Sequence, residues 1–270
     1  MPVEKISTGY EDYITGVEAV IESCRKRNGK TVYSRVICDS LDREEYVDWG
    51  KTAVDLFNSY SQTFRFLYYT PETGAWLGAT PELLLDFDCV SGDFSTVALA
   101  GTRLAGSLTE WDEKNICENR YVSDYILAEL DQLGIKATIS PMETVTYGKI
   151  EHLCARISGT AQPDDVFRIL DAISPTPALC GWPKADAISD IERCERHSRG
   201  CYGGYILVTA GSRWRAYVNL RCVHFDRMSY CLFGGGGITP LSVSEEEFEE
   251  TSNKTVQLAS LIENNRKGKQ

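Results

Sequence analysis

The sequence has no apolar run approaching the 18 residues of a membrane-spanning helix, no CxxC pair and only three histidines. The first absence leaves no candidate transmembrane segment. Ten cysteines are scattered from Cys24 to Cys231 without tight Cys/His spacing, which excludes the common zinc arrangements. Free, mostly buried thiols in a reducing compartment are expected instead. Met1 to Lys5 carries no leader pattern, so the expected location is the cytoplasm. Basic residues are in deficit, 28 against 39 acidic ones. A net charge of −11 makes nucleic acid and anionic membranes unlikely partners. An anionic ligand would need a local basic pocket or a bound cation. No serine sits in a G-x-S-x-G elbow, no glycine run leads into Gly-Lys-Ser/Thr, and G-x-G-x-x-G is not met. Hydrolase triads, P-loops and dinucleotide folds therefore lack support.

What is present begins with Gly234 to Gly237, between Phe233 and Ile238, followed by the acidic run Glu245 to Glu250 and by Lys254. The glycines read as a turn at the end of a strand. Bare backbone there can approach an anion, because no Cβ stands in the way. Clustered glutamates and a lysine could hold a hard cation and a second anionic group. The alternative is a flexible hairpin turn and a solvated helix start. Ser244 and Glu247 fit a capping box, which with the macrodipole accounts for Glu245, Glu246 and Glu247 but less well for Glu250.

Periodicity predicts helices over 11–26, 42–59, 110–133, 163–173, 184–196 and 244–264. Strands are expected over 30–38, then as a meander over 65–70, 75–79, 83–87 and 96–100. Later strands are expected over 138–142, 145–146, 150–159, 203–210, 213–225 and 229–233. Ser174 to Pro183, with three prolines, reads as a rigid loop. The order does not alternate regularly, which argues for an α+β domain with large antiparallel sheets. In the third helix Glu118 falls on or beside the face of Val122, Tyr125, Ile126 and Leu133, a costly place for a charge without a partner. Lys30 opens a strand: it is either solvated or, if desolvated beside another cation, a candidate base. Glu82 at a proline turn is either a surface carboxylate or a general acid. Gly101 reads as a tight turn, and His152 as a structural histidine rather than a catalytic one.

In order along the chain, KTVYSR, GATPELLL, LAGTR, KNICENRYV, EHL, SPTPALCGWPKADA, RGCYGGYI, VNLRCVHF and LFGGGGITPLSVSEEEFEETSNK cover residues 30 to 254. This ordered set resembles the chorismate-utilising enzymes: isochorismate and salicylate synthases and the large subunits of anthranilate and aminodeoxychorismate synthases. The resemblance implies two antiparallel β-sheets flanked by helices, with the active site in a cleft between them. It also implies that residues 1–270 form a single catalytic domain without the family's usual N-terminal extension. By the same resemblance, Mg²⁺ would be held by Glu118 and Glu250, with Glu247 acting through water. Gly235 and Gly237 would offer amides to a substrate carboxylate, with Lys254 nearby. Tyr202 and Arg221 would grip the enolpyruvyl carboxylate, and Gly101, Thr102, His152 and Thr176 would line the ring pocket. Lys30 stands where ammonia-using members carry glutamine and water-using members carry the base, and Glu82 would be the general acid. Ala100 replaces the lysine of aminodeoxychorismate synthases. The implied reaction is conversion of chorismate to isochorismate, in menaquinone or siderophore biosynthesis. The alternatives are a salicylate synthase or an inactive paralogue that only binds.

Overall fold

The computed structural model describes residues 2–107, 109–147 and 150–268, without the side chains of Thr102, Leu104, Lys114, Tyr147 and Ile150. The chain divides into two compact units: Met1–Thr80, Cys180–Gly203 and Asn219–Gln270 form the first, and Pro81–Leu179 and Gly204–Val218 the second. Every strand pair is antiparallel, as the irregular element order predicted. Among the described residues no helix is long and apolar enough to cross a membrane.

The first unit opens with helix α1 (Tyr10–Arg27), which ends at Asn28 in the left-handed conformation. Strand β1 (Lys30–Ser40) follows. The helix predicted from residue 42 begins later. Glu45–Val47 forms β2, and α2 (Trp49–Ser59) starts only after Asp48, whose side chain caps the Lys51 amide. Strands β3 (Phe64–Thr70) and β4 (Gly74–Thr80) form a hairpin.

The second unit holds β5 (Leu83–Asp88), β6 (Asp93–Leu104), α3 (Glu113–Gln132), β7 (Ala137–Ile139), β8 (Glu143–Tyr147) and β9 (Ile150–Thr160). A 3₁₀ turn (Pro163–Asp165) leads into α4 (Val166–Ile173). The expected meander is therefore divided: β3 and β4 belong to one sheet, β5 and β6 to another. Helix α3 starts behind the Asp112 cap and stops before Gly134, at φ 75°.

Back in the first unit, β10 (Gly181–Trp182) and α5 (Lys184–Cys194) come next. β11 (Tyr205–Ala210) and β12 (Arg213–Val218) complete the sheet of the second. β13 (Cys222–Phe225), β14 (Ser229–Ile238), α6 (Ser244–Asn264) and β15 (Arg266–Gly268) finish the first.

The first unit's main sheet runs β10-β1-β14-β13-β4-β3, and the second's runs β11-β12-β5-β6-β9-β7 with β8 also on β9. In the first unit Leu56, Leu77, Val223, Leu232, Leu258 and Ile262 make one core, and Tyr13, Val17, Val20, Tyr33 and Ile238 another beneath α1. All ten cysteines are free, five buried and five half-buried.

Candidate functional site

The glycine run is not a turn. Gly234 to Gly237 lie inside β14, paired with β1 in the register Arg35↔Gly234, Ser34↔Gly235, Tyr33↔Gly236 and Val32↔Gly237. What demands glycine is space on both faces. A Cβ on Gly235 would come within 2.6 Å of the Tyr202 hydroxyl, and one on Gly237 within 2.5 Å of Lys30 Cε and 3.0 Å of its Nζ. On the opposite face, by strand alternation, a Cβ on Gly234 would meet the Thr251 carbonyl of α6 at 2.8 Å, and one on Gly236 would meet Glu247 Oε2 at 2.8 Å and Glu250 Oε1 at 3.9 Å. Two sets of side chains thus press on one bare strand.

The ladder tells where the glycine amides point. Opposed residues in an antiparallel pair exchange two hydrogen bonds or none, alternately. The Val32 amide donates to Cys180 O (2.8 Å) and the Ser34 amide to Glu195 Oε1 (2.7 Å), both away from β14. Val32 and Ser34 are therefore the non-bonded partners of Gly237 and Gly235. The amides of Gly235 and Gly237 point to the other edge of β14, where the register with β13 ends at Val223↔Leu232. Lys254 Nζ reaches that edge, donating to Gly235 O (2.7 Å) and to Glu250 Oε1 (2.6 Å).

Glu247 is buried and its Oε1 accepts from Ser242 Oγ at 2.7 Å. The predicted capping box does not form: Ser244 is already helical, the cap position is Val243, and Ser242 takes up the glutamate. Glu250, with 52 % of its side chain exposed, shares the space over Gly236 with Glu247. Among the described residues no three His, Cys, Asp or Glu side chains are grouped to hold a metal. This pair of hard oxygen donors facing space that a Cβ would fill nevertheless fits a hard divalent cation such as Mg²⁺, which prefers one or two carboxylates with water. Arg35 braces the same turn of α6. It is buried, donates to Thr251 Oγ1 (2.8 Å) and Ser252 Oγ (2.6 Å), and lies 4.0 Å over the Phe248 ring.

Tyr202 is buried and stacks on Phe233, with ring centroids 5.2 Å apart. Arg221 adopts φ 47°, a left-handed conformation that an arginine holds only at a cost of about 1–3 kcal/mol and that marks it as a candidate functional residue. Its carbonyl accepts from the Ala79 amide (3.3 Å). Burial raises the Tyr60 pKa, and the Arg221 charge opposes that rise.

In the second unit Gly101 sits at a β-bulge of β6, at φ 84°, where the register with β9 shifts between Ala100 and Thr102. Thr102 pairs with His152, whose Nδ1 lies 3.2 Å from Gly101 O. The Thr102 side chain lies outside the described residues. Helix α3 packs on this bulge: a Cβ on Gly101 would be 3.1 Å from Asn115. Asn119 Nδ2 donates to Ala98 O (2.8 Å) and Leu153 O (2.9 Å), one in each strand. Glu118, half-buried, is thus carried on a helical turn pinned to β6 and β9 beside Gly101 and His152. Next to His152, Glu151 is held below the usual carboxylate range by the Gly106 amide and then by Arg103. Glu82 is half-buried at the start of β5, its carbonyl accepting from Val218 N (3.0 Å). Thr176 is buried in the proline-rich loop, and its carbonyl accepts from Leu179 N (2.8 Å).

Within the first unit the structure therefore groups Lys30, Tyr202, Gly235 and Gly237 about one face of β14, and Glu247, Glu250 and Lys254 about its other face and open edge. Within the second it groups Gly101, Thr102 and His152, with Glu118 on the adjoining helix. Sequence reasoning missed Ser34, Glu195, His197, Arg199, Arg35 and Asn119. Arg199 opens the stretch RGCYGGYI, but nothing local shows what it binds.

The model of the chorismate binding enzyme family matches residues 2–263. Over 267 residues the chain is 28% identical to anthranilate synthase component 1 of Aeropyrum pernix, spanning 91% of this chain and 59% of that protein. It is 29% identical over 221 residues to isochorismate synthase MenF of Pasteurella multocida, spanning 75% and 50%. The chain thus spans between half and three fifths of these relatives. Its fold matches that of MenF, the menaquinone-specific isochorismate synthase from Escherichia coli, with a TM-score of 0.83 at 24% identity, covering 97% of this chain and 64% of that one.

Proposed function

This chain belongs to the chorismate binding enzyme family, and we propose that it is an isochorismate synthase. The observation that carries this reading is the glycine edge of β14 beyond its last pair with β13, Val223↔Leu232. The Gly235 and Gly237 amides point outward there, and the Lys30 side-chain nitrogen and Tyr202 hydroxyl lie against the same two glycines. Such a surface suits a carboxylate next to a basic group.

In this reading the Lys30 side-chain nitrogen takes a proton from the water that adds at C2 of chorismate. Both ring double bonds shift, C1=C2 to C1=C6 and C5=C6 to C4=C5, as the C4–O bond breaks and Glu82 donates a proton to the C4 hydroxyl, which leaves as water. Tyr202 and Arg221 hold the enolpyruvyl carboxylate, Arg221 with its planar fork. Gly235, Gly237 and Lys254 hold the ring carboxylate, while Gly101, Thr102, His152 and Thr176 line the ring. Glu118 and Glu250 would hold Mg²⁺ directly and Glu247 would hold it through water. When bound, the ion offsets the charge of a substrate carboxylate that an acidic protein otherwise repels. Lysine at position 30, in place of the glutamine of ammonia-using members, favours water as the nucleophile over the anthranilate synthase activity named for one relative.

The test is incubation with chorismate and Mg²⁺, with products identified by chromatography and mass spectrometry. Isochorismate is expected, with loss of at least about 100-fold in rate for Lys30→Ala. Salicylate with pyruvate would assign the longer reaction. Anthranilate formed on adding ammonium, or full turnover by Lys30→Ala, would refute the proposal.

A further inference from the structure

β1 is flanked by β14 on one side and, on the other, by β10 for only two residues, Lys30 and Thr31. Beyond the Val32 amide, which bonds Cys180 O, no strand is registered on that side among the described residues. Two charged side chains take over. Glu195 Oε1 accepts from the Ser34 amide (2.7 Å) and from Ser34 Oγ (2.9 Å). Arg199 donates to Val32 O (2.7 Å) and clamps both oxygens of Glu195, at 2.6 and 2.8 Å. His197 Nε2 lies 3.0 Å from Ser34 Oγ. The side chains of Glu195, His197 and Arg199 are only 3 %, 4 % and 19 % exposed. Burial pulls the Arg199 pKa down, but the Glu195 hydrogen bond and charge outweigh it, so the guanidinium stays protonated. A bidentate pair of this kind has the planar geometry to meet a strand's alternating donor and acceptor.

This pair touches the candidate site in two ways. It satisfies the Val32 carbonyl and the Ser34 amide, on the residues opposite Gly237 and Gly235, and so holds the edge of β1 that faces away from those glycines. It also anchors Tyr202: the Tyr202 amide donates to Arg199 O (2.8 Å), and the Arg199 guanidinium lies 6.0 Å from the Tyr202 ring centre.

We propose that Glu195 and Arg199 are positioning residues, an ion pair that stands in for a missing strand along β1 and sets Tyr202, Lys30 and the Gly235 and Gly237 amides for an anionic substrate. The inference rests on the isochorismate synthase reading for its substrate, but not for its structural part. Two measurements separate these. Hydrogen exchange of the peptide spanning residues 31–36 should speed up in Arg199→Lys and Glu195→Gln, while Arg196→Lys, whose exposed side chain meets Asp12 instead, leaves it unchanged. Steady-state turnover of chorismate should show KM raised about tenfold in Arg199→Lys with kcat within about threefold. In a Tyr202→Phe background the same substitution should raise KM no further. Unchanged exchange in both variants overturns the strand-substitute role, whether or not chorismate is the substrate. Accelerated exchange with an unchanged KM, or a KM effect that persists in full without the Tyr202 hydroxyl, overturns the positioning role. Failure of the unmodified protein to turn over chorismate indicts the proposed reaction, and the exchange data then decide the structural claim alone.

Discussion

Alanine at Gly234 and at Gly237 should have opposite consequences, although the two glycines belong to one strand and one motif. At Gly234 the new methyl would stand 2.8 Å from the Thr251 backbone oxygen and 3.2 Å from Thr255 Cγ2. To regain an ordinary contact, α6 must retreat from β14 by over half an ångström. Neither partner yields easily: β14 is paired with β1 over ten residues, and Leu258 and Ile262 of α6 are locked in the core. Overpacking of this kind costs about 1–3 kcal/mol. Replacing a strand glycine regains about 0.5–1 kcal/mol, so Gly234→Ala should lose up to about 2.5 kcal/mol of stability. At Gly237 the methyl meets only the flexible end of Lys30, Cε at 2.5 Å and Nζ at 3.0 Å. Lys30 can swing aside for a rotamer cost of about 0.5–1.5 kcal/mol, which the backbone gain nearly offsets. Gly237→Ala should therefore keep its stability within about 1 kcal/mol and lose turnover, because the Lys30 side-chain nitrogen has been displaced. Equilibrium urea unfolding measures the first quantity and chorismate turnover the second. Greater destabilisation by Gly237→Ala than by Gly234→Ala, or full turnover by Gly237→Ala, would refute the assignment of the two faces.

Removing the α3 anchor with Asn119→Ala leaves two strand carbonyls without that donor and should cost about 1–3 kcal/mol, read by urea unfolding; a neutral effect would show that α3 is held elsewhere. Isothermal titration of Mg²⁺ should show affinity weakened at least about tenfold by Glu250→Gln and unchanged by the exposed Glu249→Gln, and equal effects would detach the cation from the space over Gly236. His197 and His224 both have pKa values lowered, first by burial; for His197 the Glu195 charge opposes the shift and the Arg199 charge adds to it. Between those folded values and the ordinary 6.5 the unfolded chain binds more protons, so stability present above about pH 6.5 falls as the pH drops, by up to about 1.4 kcal/mol per pH unit for each histidine. Unfolding midpoints between pH 8 and 5 should show this loss, and replacing both histidines by glutamine should flatten it; an unflattened profile would place the loss elsewhere.

Signals carried within a few residues were legible. The bounds of α6 follow from periodicity alone, and Asn28 and Gly134 mark the ends of α1 and α3. Local errors came from competing local chemistry: Asp48 caps α2 well inside a pattern that continues helically from residue 42, and Ser242 outcompetes Ser244 for Glu247. Four glycines in a row resemble a turn because turns and closely approached strands both require the absence of a side chain.

The order of short motifs from Lys30 to Lys254 was enough to place the chain in its family and to nominate Lys30, Glu82 and the carboxylates, because residue type and order are properties of the sequence itself. Which way a backbone group points is not such a property. The outward turn of the Gly235 and Gly237 amides follows from the pairing of β1 with β14, whose far side is bonded at Val32 by Cys180 and at Ser34 by Glu195, 161 residues away. The crowding about the glycines comes from Lys30 on β1, Glu247 and Thr251 on α6, and Tyr202 in the loop before β11. Only the tertiary structure brings these groups together. Contacts across such separations become favourable only once the sheet and its helices have assembled, and no window of sequence contains both partners.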